Sequence, residues 1–173
     1  MQLAIKTETF VADVAELIQE ANRAQNADDL KRAEQLYFQV LDEDPLNPDA
    51  NHNLGILYLS VNLSKQALPL LIEVIEMKAK VYGEVNESLA ESLTELGSIY
   101  DRLDKLEESS DVYKKALAIK RVTVGNESVE VGHALNNLGA ILDDLGNHEE
   151  AEPYYREGLE IFKKIYGPDH PDV

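Results

Sequence analysis

The chain has 173 residues, a formal net charge of −17 and no cysteine. The acidic charge argues against binding to nucleic acid or anionic membranes, which both need a basic surface, and the lack of cysteine excludes disulfides and cysteine-ligated metal sites. Because the N-terminus has no signal-peptide pattern and no apolar run is long enough for a membrane span, we expect a soluble cytoplasmic protein.

Small residues recur along the chain at one phase, at Ala21, Gly55, Gly97 and Gly139, in steps of 34, 42 and 42 residues. Other small residues follow twelve positions later and large residues, mostly tyrosine, follow sixteen positions later. Each repeat therefore contains two helical patterns, whose small residues let the backbones approach while the large residue fills the remaining gap. The predicted helices cover residues 10–26, 29–43, 48–61, 64–82, 88–103, 106–124, 130–145 and 148–166, with longer second helices in the last three pairs.

The turn inside each predicted helix pair also falls at one phase of the repeat. It carries asparagine, aspartate or glycine, the residues that best tolerate the left-handed conformation that ends a helix. After two of these turns, the spacing of an Asp or Asn and a Glu predicts a capping box. The turn residues are Asp28, Asn62, Asp104 and Gly146, and the predicted boxes are Asp104 with Glu107 and Asn147 with Glu150.

This pattern of a leucine–glycine pair, a tyrosine, and then small, large and small residues resembles the tetratricopeptide repeat (TPR). The later repeats resemble the 42-residue form found in kinesin light chains, because the loops "VYGEVNES", "TVGNESVE" and "IYGPDHPD" keep a glycine in phase. The resemblance implies an all-α TPR α-solenoid of about four helix-turn-helix repeats forming a right-handed superhelix. The implied organisation is a tail over 1–9, repeats over 10–47, 48–89, 90–131 and 132–173, and the start of a truncated further repeat at the end of the last segment.

No catalytic, metal or cofactor site is predicted. The four histidines lack metal-ligand spacing, and the chain has no glycine-rich phosphate loop. Asp143 and Asp144 are adjacent, so on a helix their side chains diverge and do not form a catalytic pair. The tripeptide His170-Pro171-Asp172 matches that of J-domains but lies in phase with the other repeat loops, so we interpret it as a loop. The expectation is that the chain is not an enzyme.

In the TPR family the first helix of each pair lines a concave groove, and the resemblance places a set of mostly acidic and amide side chains there. It implies that the chain is an interaction scaffold for a protein or peptide, and the acidic residues favour a segment that is neutral or carries Lys or Arg. Family members that bind a C-terminal carboxylate use cations where this chain has Glu91 and Glu95, so we do not expect that ligand. The predicted groove residues are Asn22, Asp49, His52, Asn53, Glu91, Glu95, Asp101, Asn136, Asn137 and Asp143.

An alternative function is an architectural or oligomerisation segment of a larger multidomain enzyme, with no peptide ligand of its own. A second expectation concerns the last predicted helix, 148–166, which carries Leu159, Ile161, Phe162, Ile165 and Tyr166. If these apolar side chains are uncovered, they favour self-association through this helix, because an exposed apolar patch is a recognised association signal.

Overall fold

The structure is a computed structural model that describes the backbone of residues 2–168 and 170 and the side chains of residues 14–168 and 170. Over these residues the chain forms eight α-helices and no strand, as the sequence predicts. Each helix is followed by a short turn or loop. The helices are α1 Gln2–Asn26, α2 Leu30–Glu43, α3 Pro48–Ser60, α4 Ser64–Tyr82, α5 Glu87–Arg102, α6 Leu106–Thr123, α7 Val129–Asp144 and α8 His148–Tyr166.

Seven of the eight helices begin and end within one residue of their predicted limits. The second helices α4, α6 and α8 contain 19, 18 and 19 residues against 14 in α2, so the prediction of longer second helices is confirmed. The exception is α1, which begins at Gln2, so the segment predicted as an N-terminal tail is helical. No glycine or proline interrupts residues 2–26, and nothing in that sequence therefore ends the helix earlier.

The chain forms two compact units, which we describe separately: a first unit up to Val74 and a second unit from Ile75, with the division inside α4. The core of the first unit includes Leu36, Tyr37 and Leu54, all almost completely buried. The second unit has two apolar clusters, one formed mainly by α5 with α6 and the other mainly by α7 with α8. The buried positions in both units recur in register with the repeat, because each first helix packs on its second helix with the same face.

The repeated glycines allow close contact between the two helices of a pair. An ideal Cβ built at Gly97 would lie 2.6 Å from the Tyr113 ring, and one at Gly139 would lie 2.8 Å from the Tyr155 ring. In the preceding repeat the facing side chain is Leu71. A side chain at any of these positions would overlap its partner. The close packing that glycine allows therefore offsets the roughly 1 kcal/mol penalty of an interior helical glycine. The predicted packing role of the glycines is confirmed.

The turn residues adopt the predicted left-handed conformation. The backbone φ is 62° at Asp28, 62° at Asn62, 57° at Asp104 and 78° at Gly146. In this conformation the chain turns sharply and the last carbonyls of the first helix find donors, such as the Lys105 N–H that bonds the oxygen of Tyr100 at 2.9 Å.

Both predicted capping boxes are wrong. Asp104 is held in the left-handed turn, so the N-cap of α6 is Lys105, which makes no side-chain capping bond. Asn147 is the N-cap of α8 but also makes no such bond. The Asp104 side chain therefore does not cap α6, whereas Asn147 occupies the N-cap position of α8 without making the bond. Side-chain caps occur instead at Asp29, Asn47, Asn86 and Ser128.

The last helix is better covered than the sequence suggests. Ile161 and Phe162 are only 6% and 3% exposed. Ile161 belongs to the core between α7 and α8, and the Phe162 ring packs on α7 where Gly132 has no side chain. An ideal Cβ built at Gly132 would lie 2.7 Å from that ring. Ile165 and Tyr166 do remain exposed, and the Tyr166 ring stacks on that of His170 at 4.7 Å. Pro171, Asp172 and most of the predicted further repeat lie outside the described residues. The apolar surface behind the self-association hypothesis is therefore smaller than expected.

Candidate functional site

Two predicted asparagines of the first unit are brought together over a buried tyrosine. The Asn53 amide donates to Asn22 Oδ1 at 3.0 Å, and the Tyr37 hydroxyl donates to the same oxygen at 2.7 Å. Tyr37 Oη also lies 2.8 Å from Gln25 Oε1, so its single proton is shared between two acceptors. Burial raises the pKa of Tyr37 to about 12. This network fixes the orientation of both asparagines on the surface formed by α1 and α3.

Next to this network the first unit contains an open cavity of about 460 Å³ with an apolar wall and an acidic rim. Val14 and Ile18 of α1 form the wall, while Asp44 and Asp49 lie at the rim. Asp44 accepts a hydrogen bond from the Asn47 amide at 3.1 Å, and Asp49 is exposed in the first turn of α3. His52, one turn further along α3, is half-buried. The cavity therefore offers two carboxylates beside apolar surface.

The acidic surface of α5, in the second unit, includes a cation that sequence reasoning missed. Lys78 of α4 donates to Ser92 Oγ at 2.7 Å and to the Ser88 carbonyl at 3.2 Å. Burial raises the pKa of Glu95 to about 7, the positive charge of Lys78 acts against that rise, and the charge of Glu91 adds to it. Because Lys78 is close, this surface is less negative than the first helices alone suggest.

The repeat phase gives no signal for Lys78. Phe162, at the equivalent position two repeats later, contacts the first helix of its own repeat, α7, whereas Lys78 bonds α5 of the following repeat. Lys78 lies on a second helix, so a prediction of groove residues drawn from first helices alone does not include it.

Two predicted groove residues of the second unit, Asn136 and Asp143, face the second helix of their own repeat. Asn136 Oδ1 lies 2.7 Å from the place of a Cβ on Gly158, so it fills the gap above α8. The Asp143 carboxylate lies 2.9 Å from His148 Nδ1. Burial raises the pKa of Tyr155, and the charge of Asp143 and its hydrogen bond to that tyrosine add to the rise.

Asp101 occupies the position equivalent to Asp143, one repeat earlier, and behaves in a similar way. Its charge raises the pKa of Tyr113, after the larger effect of burial, to about 12. Asp101 itself is exposed, as is Glu91, whereas Asn137 is half-buried on α7. Glu91, Asp101 and Asn137 thus remain available on the second unit, while Asn136 and Asp143 have partners within their own repeat.

Within the described part of the chain, no three His, Asp or Glu side chains converge as a metal ion would require. The same residues include no helix that is both long and apolar enough to cross a bilayer.

Comparison with known proteins agrees with the helix pairing. Two family models, both described as tetratricopeptide repeat, match residues 46–121 and 131–172, which together make up more than half of the chain. The first predicted repeat lies almost entirely outside these matches. No curated protein matches the chain.

Several solved structures share the fold. BtubC (BKLC) from P. vanneervenii aligns with a TM-score of 0.80 and 17% identity, over 92% of this chain and 66% of that one. The TPR-like repeats of a Podosopora anserina protein named for kinesin light chain align with a TM-score of 0.77 and 21% identity, over 92% and 79%. MamA of MSR-1 aligns with a TM-score of 0.71 and 22% identity, over 88% and 78%. At these identities the likeness concerns the fold.

The repeat matches, the eight paired helices and the glycine contacts agree on one family. Proteins built of these repeats are in general scaffolds for protein–protein interaction, and they are generally not enzymes. The chain belongs to the tetratricopeptide-repeat family.

Proposed function

We propose that this chain is a protein-interaction scaffold whose first helices bind a basic or neutral peptide segment. The observation that carries the proposal is the cavity of the first unit, about 460 Å³ in volume, in which an apolar wall meets two carboxylates. A lysine or arginine side chain has the matching chemistry, since its aliphatic stem packs on apolar surface while its charged end bonds a carboxylate.

The charges around this cavity support a cationic ligand. Neither Asp44 nor Asp49 forms an ion pair with any residue whose side chain the structure describes. A cationic side chain that lies on Val14 and Ile18 would reach these carboxylates directly. The neighbouring Asn53 keeps its amide oxygen as an acceptor for the backbone N–H of such a segment, while its amide nitrogen bonds Asn22.

The second unit supports the same preference less strongly. Glu91 and Asp101 are exposed carboxylates, and Asn137 offers both a donor and an acceptor to a ligand backbone. Lys78 offsets part of this negative charge beside Glu95. We therefore expect the charge preference of the ligand to be set mainly by the first unit.

A charge-reversal experiment tests the proposal on short synthetic peptides that are basic, neutral or acidic. Asp49→Lys should weaken binding of the basic peptides roughly fivefold to tenfold, as expected for reversal of one partly screened charge. Asp111→Lys is the matched control, because Asp111 is an exposed acid on the second helix α6 and carries the same change of charge.

Binding of the basic peptides should also weaken as salt rises above about 150 mM, since added ions screen exposed charges. Fluorescence anisotropy measures the affinity of each peptide for each variant and its dependence on salt. Preferential binding of acidic peptides, or an equal loss in the Asp49 and Asp111 variants, would contradict the proposal.

A further inference from the structure

The second unit has an apolar groove between two second helices, on a different surface from the first helices discussed above. Its volume is about 380 Å³. Ile75 and Ala79 of α4 form one side, Ala118 and Ile119 of α6 form the other, and Val85 lies in the loop that bounds it. Side chains of α5 form its floor. The groove is thus a gap between helices of adjacent repeats.

The equivalent surface one repeat later is also a cavity, of about 580 Å³, but its lining is mostly charged and forms ion pairs. Arg121, which takes the place of Ala79, bonds Glu157 at 2.8 Å. Glu157 in turn takes the place of Lys115. Lys164 bonds Glu127, and these two occupy the places of Val122 and Val85. The fold therefore does not require an apolar lining at this position, and in the earlier repeat the charged side chains of these ion pairs are replaced.

The surroundings of the groove are unusually apolar for a protein surface. Val85 is 57% exposed and Val122, near the end of α6, is 73% exposed. Tyr82, just before the loop, is also exposed. Several large apolar side chains beside a concave apolar surface are typical of sites that bind another protein.

The rim of the groove carries one charge of each sign. Glu84 lies in the bounding loop, and Lys115 lies on α6 one turn before Ile119. Neither side chain forms an ion pair within the part of the chain whose side chains the structure describes. In the equivalent surface the positive Arg121 and the negative Glu157 neutralise each other, whereas here each charge lacks its complement.

We propose that this groove binds a short amphipathic helix of a protein partner. Two apolar side chains one turn apart on that helix would pack against Ala79 and Ile119, as helices do when they bind in grooves. A basic residue of the partner would face Glu84, and an acidic residue would face Lys115. A second copy of this chain fits less well, because two-fold pairing would set one concavity against another and bring together two chains of net charge −17.

The test uses helical peptides selected for binding to the whole chain from a displayed library of amphipathic sequences. The double variant Ala79→Arg with Lys115→Glu copies the ion pair of the next repeat, and arginine is a good helix former, so the fold should be kept. Its helix content and thermal unfolding check this directly. Asp49→Lys is the control, because it lies on the surface proposed above for basic peptides.

We expect selected peptides to carry two apolar residues one turn apart and to lose at least about tenfold in affinity to the double variant, since both packing and charge are removed. Asp49→Lys should leave that affinity unchanged. Selection of no peptide, or of peptides sensitive only to Asp49→Lys, would overturn the inference while leaving the proposed function intact. A dimer seen by sedimentation that the double variant dissociates would show that a second copy occupies the groove, and would also overturn it.

Discussion

Two equivalent surfaces of the second unit differ although the helices beneath them are alike. The surface between α4 and α6 is an open apolar groove lined by Ala79, Val85 and Ile119. The surface one repeat later is lined mostly by charged residues, including Glu127 and Lys164, and ion pairs cross it. The glycine and tyrosine beneath each surface make the same close contact. The repeat therefore keeps the residues that join its two helices and varies those that face outwards.

The buried residues and the outward-facing residues also differ in how much they contribute to the stability of the fold. The buried contacts between helices cost several kcal/mol when disturbed, whereas an exposed ion pair such as Arg121 with Glu157 contributes between about 0 and 1 kcal/mol. Changes at the outward positions therefore alter binding with little loss of stability. A scaffold family can diversify its partners in this way on a constant frame.

The largest expected effect tests whether the frame is shared. Gly97→Leu and Gly139→Leu should each reduce the free energy of unfolding by about 1–3 kcal/mol or more, because the new side chain overlaps the ring of Tyr113 or Tyr155. The gain in helix propensity, about 0.8–1 kcal/mol, offsets only part of this. Urea denaturation measures both values.

Ala140→Leu is the matched control, since Ala140 is exposed on the same helix as Gly139. It should change stability by no more than about 0.5 kcal/mol. The two repeats would not share one frame if the stability losses of Gly97→Leu and Gly139→Leu differed from each other as much as either differs from that of Ala140→Leu.

A smaller effect concerns Glu95, which stands where other repeats have Asn53 and Asn137. Burial raises its pKa from the ordinary 4.5 to about 7, so the folded protein holds this proton more tightly than the unfolded chain does. Its contribution to stability is then greatest below pH 4.5 and is lost as pH rises through 7. Glu95→Gln removes this dependence while Lys78 keeps its hydrogen bonds to Ser92 and Ser88.

We expect Glu95→Gln to be more stable than the natural chain by roughly 1–3 kcal/mol at about pH 8 and nearly equal to it at about pH 4. Urea denaturation at several pH values gives this difference directly. Asp111→Asn, an exposed acid on α6, serves as the control and should show no such trend. A stability difference that stays the same at every pH would contradict the assignment of a raised pKa to Glu95.

The fold was predictable because its determinants are periodic. One phase carries the glycines, another the tyrosines, and a third the left-handed turn at Asp28 and Asn62, so each position was supported by several repeats. Helix capping was not predictable by spacing alone. The Asp104 to Glu107 spacing fits a capping box, but the left-handed backbone at Asp104 prevents its use as an N-cap.

The candidate site was only partly predictable, because the sequence does not show which neighbouring residue each polar side chain contacts. Asn22 and Asn53 share the predicted surface, and Tyr37 fixes both. Asn136 has the right phase for a first-helix surface, yet the missing side chain at Gly158 draws it towards α8. The apolar groove escaped notice because its lining comes from three helices and a loop, and no single helical pattern contains it.

The central claim is that outward-facing residues, on a constant frame, decide where a partner binds. Isothermal titration calorimetry of a transplanted surface tests it, using the helical peptide selected for the groove. We expect the number of peptides bound per chain to rise from one to two when the groove residues are copied onto the next repeat. The stoichiometry staying at one in a folded variant would contradict the account. The transplanted changes are Arg121→Ala, Asn126→Glu, Glu127→Val, Glu157→Lys, Glu160→Ala and Lys164→Val.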